Sequence, residues 1–412
     1  LGIKADKLTE MFQYAARLAW YFHTLDKREL SEAELREFNE YFSKQWHTVD
    51  FSTRLTILIK ARVLCKVGED YAFRYPYIYY YLKGKYVSEN LSDLDIRAYI
   101  SQCCGHLYVR DYANTVLFLA HHTTDEFVLN SIGEALQNLF KGRAPLRFDG
   151  DTGSVSELIR NAPQLTYTGE APADHRTRRN AIQDELDNGD DGLVECEEKS
   201  DELSLIAQLT MLFKTTEILG QILKNQYSKI QRTRKRELIE DLFNGPLRAI
   251  RTFYEYFGKN PDALLAEIDA ALQRKGNIES SEERKAIAQK VVTGLVQFVT
   301  YGFLMRAAQS AGSDTLLEDV NDVVKRNKSA AYKLIELGIL LDSPKAIPRQ
   351  KLKALYSEVQ KDPVAGRVMQ IMVLNRLYMF KTAESDMQWL NAELDINLGM
   401  QHAITYQEKR SK

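Results

Sequence analysis

Pro76 is the most restrictive residue in the chain, because proline fixes its own φ and lacks the backbone N–H that a strand or a helix interior needs. Before it, Val63–Val67 and Tyr71–Tyr75 alternate side chains with a period near two, and Gly68-Glu69-Asp70 supplies turn chemistry between them. Pro76 ends the second strand and is well placed as the first residue of a new helix, Tyr77–Glu89. Upstream, Phe51–Arg62 spaces Leu55, Ile57, Leu58 and Ala61 as a short buried helix does. Thr48–Asn90 therefore reads as helix, two-stranded hairpin, helix.

Two earlier segments extend this unit. Asp6–Thr24 gathers Leu8, Phe12, Ala15, Ala16, Leu18 and Ala19 on one side of a helix. Ser31-Glu32-Ala33-Glu34 has capping-box spacing and opens a second helix, Ser31–Trp46. With these, residues 1–90 are expected to form a winged-helix domain. Ser92-Asp93 caps Leu94–Leu107, and Asp111–His121 and Asp125–Phe140 follow, so 91–143 reads as a small helical bundle.

Texture changes after Lys141. Pro145, Gly150, Gly153, Pro163, Gly169 and Pro172 argue for an irregular excursion, with Ser154–Asn161 as one short helix inside it. Asp184–Glu202 holds ten carboxylates and one lysine, too little apolar surface to offset its ordering entropy, so 144–202 closes as an acidic linker. A helical block, 203–412, begins with the stripe Leu203, Ile206, Leu209, Phe213, Leu219, Ile222, Leu223. Separate helices are expected at Arg236–Leu242 and Leu247–Phe257, broken at Gly245-Pro246. Asn260-Pro261 and Asp362-Pro363 mark two further helix starts. The fold class is mainly α. The scarcity of glycine (21) and proline (9) in 412 residues agrees with long helices.

A formal charge of −2 offers no global basic field for nucleic acid or anionic membrane, and no apolar run approaches the ~20 residues of a membrane span. Four scattered cysteines give no disulfide framework, and a reducing cytoplasm is the expected compartment. The chain opens Leu1-Gly2-Ile3-Lys4 without an initiator methionine, as a fragment of something longer would.

Catalytic motifs are not found. No G-x-x-x-x-G-K-[ST] phosphate loop occurs, and Leu337–Ser343, an apolar run ending in Asp, reads as the end of a core helix. Adjacent helical residues such as His121 and His122 point about 100° apart, so packing or capping is the simpler role for the pair than metal binding. Cys103-Cys104 lacks C-x-x-C spacing and reads as buried thiols. The basic run Lys229–Arg236 follows Tyr227 and could touch phosphates, but pairing within the molecule with Asp184–Glu202 is the simpler role.

Phe73-Arg74-Tyr75-Pro76-Tyr77-Ile78-Tyr79-Tyr80-Tyr81, continued by Leu82-Lys83-Gly84-Lys85, resembles the strand-to-helix segment Phe-x-His-x-Ser-Phe-x-Glu-Tyr of NACHT-like STAND signalling ATPases. Lys214–Asn225 and Gly245-Pro246-Leu247-Arg248 are similar to stretches in the C-terminal halves of bacterial STAND defence ATPases. The family's histidine touches the β-phosphate of bound nucleotide; its place is taken here by Tyr75, with Arg74 alongside. The resemblance implies the C-terminal, regulatory and ligand-sensing region of an anti-phage ATPase. In such a protein ATP or ADP with Mg²⁺ is bound by the parent, a protein ligand such as a phage protein meets the helical domain, and activation brings homo-oligomerisation and effector output. Arg74 and Tyr75 are the candidate phosphate sensors. Strand alternation would send them to opposite faces, with Arg74 toward nucleotide and Tyr75 in the wing-to-helix core. The alternative from another class is a self-contained α-helical scaffold or adaptor that binds proteins by its helix faces.

Overall fold

The computed structural model describes residues 5–189 except 161, 163, 164, 166 and 168, and residues 203–394 except 260 and 276–279, together with 396. Among these are eighteen helices and one three-stranded sheet, so the fold is mainly α. The chain divides into two compact units, Leu1–Ala135 and Leu136–Lys412.

The first unit runs α1 (Ala5–Thr24), β1 (Glu29–Leu30), α2 (Glu32–Gln45), α3 (Phe51–Lys60), β2 (Leu64–Val67), β3 (Asp70–Phe73), α4 (Pro76–Glu89), α5 (Leu94–Gly105) and α6 (Arg110–His122), then enters α7 (Glu126–Asn138). The sheet is antiparallel in the order β1-β3-β2. Val67 pairs with Asp70, which leaves Gly68 and Glu69 as a two-residue loop, with Gly68 at φ +61 where a side chain would be strained. Ser31 caps α2 and Glu34 returns the bond to the Ser31 N–H, completing the capping box. Tyr14, Leu18, Phe22, Leu30, Phe38, Phe42, Leu58, Leu64 and Tyr71 form the core beneath the sheet. Helix α4 packs between α1 and α6. At Gly84 a Cβ would lie 2.8 Å from the Leu119 backbone nitrogen, so α4 and α6 meet main chain to main chain there.

The second unit holds α8 (Gly153–Arg160), α9 (Pro172–Gly189), α10 (Leu205–Asn225), α11 (Arg232–Lys259), α12 (Pro261–Lys275), α13 (Ser281–Ala311), α14 (Leu317–Asn327), α15 (Ala330–Leu341), α16 (Arg349–Val359), α17 (Pro363–Met379) and α18 (Glu384–Leu394). Helix α13 is central, packing against α8, α10, α11, α12, α15 and α17. Its composition and length would suit a membrane crossing, which the search for a single apolar run passed over. Half of its most apolar window is buried inside the unit, as in a core helix. Asp184–Gly189 belong to the backbone of α9, and residues 190–202 of the acidic stretch lie outside the described residues.

The expected break at Gly245-Pro246 is absent: α11 is continuous with Pro246 inside it. Leu242, Phe243, Leu247 and Ile250 on either side are all buried, and that packing overrides the local cost of a missing N–H. Gly245 lies against Leu136, whose Cδ1 would be 2.6 Å from an added Cβ.

Candidate functional site

The strand-to-helix corner is built by the end of β3 and the start of α4. Strand pairing ends at Phe73, the Arg74 N–H donates to the Val63 carbonyl at 2.9 Å, and Tyr75 becomes the extended N-cap residue before Pro76 at the first helical position. Alternation therefore stops one residue before the pair it was expected to separate. Arg74 Nε donates to Tyr75 Oη at 3.3 Å, and the guanidinium lies 5.6 Å from the centre of the Tyr75 ring. Tyr75 in turn stacks on Tyr77, with centroids 5.3 Å apart and planes 13° from parallel. Both expectations about orientation need correcting: Arg74 and Tyr75 share one surface, and the Tyr75 ring is 36% exposed rather than in the core. The hydrogen bond from Arg74 lowers the Tyr75 phenol below its ordinary value and raises the guanidinium above its own. Arginine carries five N–H donors, and one of them is used on Tyr75.

Beside this corner is an apolar groove of about 470 Å³ whose walls include Leu8 and Phe12 of α1, Ile57 of α3, Tyr77 and Tyr81 of α4 and Phe118 of α6. Among the described residues no charged side chain lines it. Leu8, Phe12 and Tyr77 are each about half exposed, a contiguous apolar surface of the kind that marks a contact site.

Two turns into α4 the polarity inverts. Lys83 is completely buried, and its Nζ is 2.9 Å from Asp111 Oδ2 on α6. The other Asp111 oxygen accepts from Arg28, just before β1, at 2.5 Å. The rings of Tyr79, Tyr80 and Tyr99 surround the ammonium with centroids 5.1–5.7 Å away, and the Arg28 guanidinium lies over Tyr79 at 4.9 Å. Burial alone would raise the Asp111 carboxyl, but the charge and hydrogen bond of Lys83 and the hydrogen bond of Arg28 outweigh it and hold it below the ordinary value. Burial lowers the Lys83 ammonium, and Asp111 opposes that shift. His23 packs at a tilt on Tyr99, with ring centroids 4.6 Å apart, and burial, then the nearby Lys83 charge, pushes it down to about 4. Sequence reasoning passed over this cluster, treating Lys83 as a continuation of the tyrosine helix. The signal available was position: Lys83 follows Tyr79 by four residues and Tyr80 by three, on the face those rings bury.

The remaining candidates resolve as packing. His122 bonds the Tyr81 carbonyl at 3.1 Å and meets the Tyr81 ring edge-on. Burial pushes the Cys103 thiol up to about 12 and raises Cys104 as well, so neither is an activated nucleophile. Leu337–Leu341 end the core helix α15, with Asp342 as its C-cap. Among the described residues no three histidine, cysteine or carboxylate side chains gather as a metal site. The basic run has counter-charges on α14; the acidic side chains it was expected to meet lie outside the described residues. Asp319, buried, is 3.1 Å from both Lys235 and Arg236 and 3.6 Å from Arg232, while Asp322 pairs with Arg236.

No curated protein and no solved structure matches this chain. A family model described as Novel STAND NTPase 4 matches residues 28–82. That interval begins at Arg28, takes in all three strands and the Arg74–Tyr75 corner, and ends one residue before Lys83. Over this interval the chain is similar to the STAND NTPases.

Proposed function

We propose that this chain is the regulatory and ligand-sensing region of a STAND-type signalling ATPase of bacterial antiviral defence. The carrying observation is that the family match covers β1 to the middle of α4, with Arg74 and Tyr75 exposed at its corner. In this reading β1, α2, α3, the β2–β3 hairpin and α4 are a winged helix. Its exposed apolar groove docks on the ATPase half of the parent protein while ADP is bound. A phosphate loop occurs nowhere in these 412 residues, so the proposal assigns the phosphate cradle and Mg²⁺ to that other half. One contact is left to this chain: an N–H of Arg74 reaching a phosphate oxygen, oriented by its bond to Tyr75. A protein ligand on the second unit would weaken the docking, and cytoplasmic oligomerisation and effector output would follow.

The test is made in the parent protein. Arg74→Ala should raise trigger-independent oligomer formation and speed loss of bound ADP, with the melting temperature nearly unchanged. If resting activity and ADP retention both stay at the wild-type level, the corner is no latch, and an α-helical protein-binding scaffold becomes the better description.

A further inference from the structure

A second concavity lies wholly in the second unit, between α9, α10, α13 and α17, and encloses about 940 Å³, at the upper end of small-molecule sites. Unlike the groove of the first unit it is charged: Arg179, Lys214 and Arg306 face it against one carboxylate, Glu217. Arg306 is fixed as part of the wall, donating to the Phe213 carbonyl at 2.9 Å and to Glu217 at 3.1 Å. Its Nε–H is buried without an acceptor among the described residues, so the ligand-facing charge of the cleft rests on its other cations. Arg179 is exposed, and Lys214 is only 3.8 Å from Glu217 in a loose, exposed pair, so both cations can turn to a ligand.

The same cleft presents flat rings. Phe213 stacks on Phe303 at 5.3 Å, which fixes its plane, and Phe298 is 73% exposed. Aromatic faces beside arginine and lysine recognise a base joined to a phosphate: stacking tolerates the ring, and the guanidinium donors match the phosphate oxygens. We propose that this cleft binds a nucleotide-class ligand, with its base against Phe213 and Phe298 and its phosphate at Arg179 and Lys214. The inference is independent of the proposed switch and stands or falls without it.

Fluorescence titration of the 412-residue chain with mant-AMP and mant-GMP tests it. At least one should bind saturably at low salt. Unlabelled AMP or GMP should displace it at least about tenfold more effectively than inorganic phosphate or the free nucleoside, because ring and anion are both used. Arg179→Glu combined with Lys214→Glu should weaken binding about tenfold or more, and Phe298→Ala about fivefold or more. All three side chains are exposed, so the melting temperature should hold in each variant and a loss of binding cannot be ascribed to unfolding. The proposal is overturned if neither nucleotide binds saturably, if inorganic phosphate competes as well as the nucleotide, or if the variants bind like wild type.

Discussion

Helix α4 presents two kinds of polar cluster a few residues apart, and they obey different physics. At its N-terminus, Arg74, Tyr75 and Tyr77 stack in water and bond to one another. Two turns later, Lys83 is fully buried inside a shell of tyrosines against Asp111, whose other oxygen takes Arg28 from the surface. Charges in water cost little to rearrange, so the first cluster can release one partner for another. Charges removed from water cannot, because each depends on its counter-charge. The exposed corner suits recognition, and the buried cluster suits holding β1, α4 and α6 in one arrangement.

The largest test of this contrast is Asp111→Asn. It leaves Lys83 buried without a counter-ion, and stability to urea should fall by about 3–5 kcal/mol. Lys83→Met is the informative partner: it keeps the volume and leaves Asp111 bonded to Arg28, so the loss should be about 1 kcal/mol or less. Equal losses in the two variants would mean that the ammonium, not the carboxylate, anchors the cluster.

Acid should act on the same region. His23 has a folded pKa of about 4 against an ordinary 6.5, so the unfolded chain takes up its proton first. The stability it permits is complete above pH 6.5 and declines as the pH falls toward 4. Allowing for partial exposure, the decline is roughly 1–2 kcal/mol. Asp111, lowered in the fold, adds its own loss only below the ordinary carboxylate range. Urea midpoints of wild type and His23→Gln between pH 4 and 7 should diverge in slope; parallel curves would remove His23 as the source.

The smallest effects belong to the corner. Tyr75→Ala and Arg74→Ala should each leave the urea midpoint nearly unchanged, since both residues are exposed. A large fall in the midpoint at Tyr75 would restore the wing-to-helix core role that the sequence pattern suggests, and would erase the contrast with Lys83.

How far the sequence foretells these features follows from the range of the forces involved. Local chemistry is legible: the Ser31–Glu34 box, Asp93 and Asp362 as caps, and Pro76, Pro261 and Pro363 opening helices all stand where the spacing places them. The orientation of Arg74 and Tyr75 is not, since it depends on where strand pairing ends, a fact of the partner strand. Pro246 reads as a helix break until the packing around α11 is known. The Lys229–Arg236 run has partners on α14 more than eighty residues away, which no local pattern announces. Lys83 is hidden for the same reason, because Asp111 and Arg28 come from other elements.

Gly84 sets how closely α4 and α6 approach beside the buried Lys83. The main chains of α4 and α6 touch at that residue, immediately after Lys83, so the gap between the two helices is set by a single hydrogen atom. A methyl group there would wedge the helices apart like a shim under a lid, admitting solvent to an ammonium now walled in by tyrosine. The smallest substitution the genetic code can make at this position would thus do electrical rather than merely steric harm.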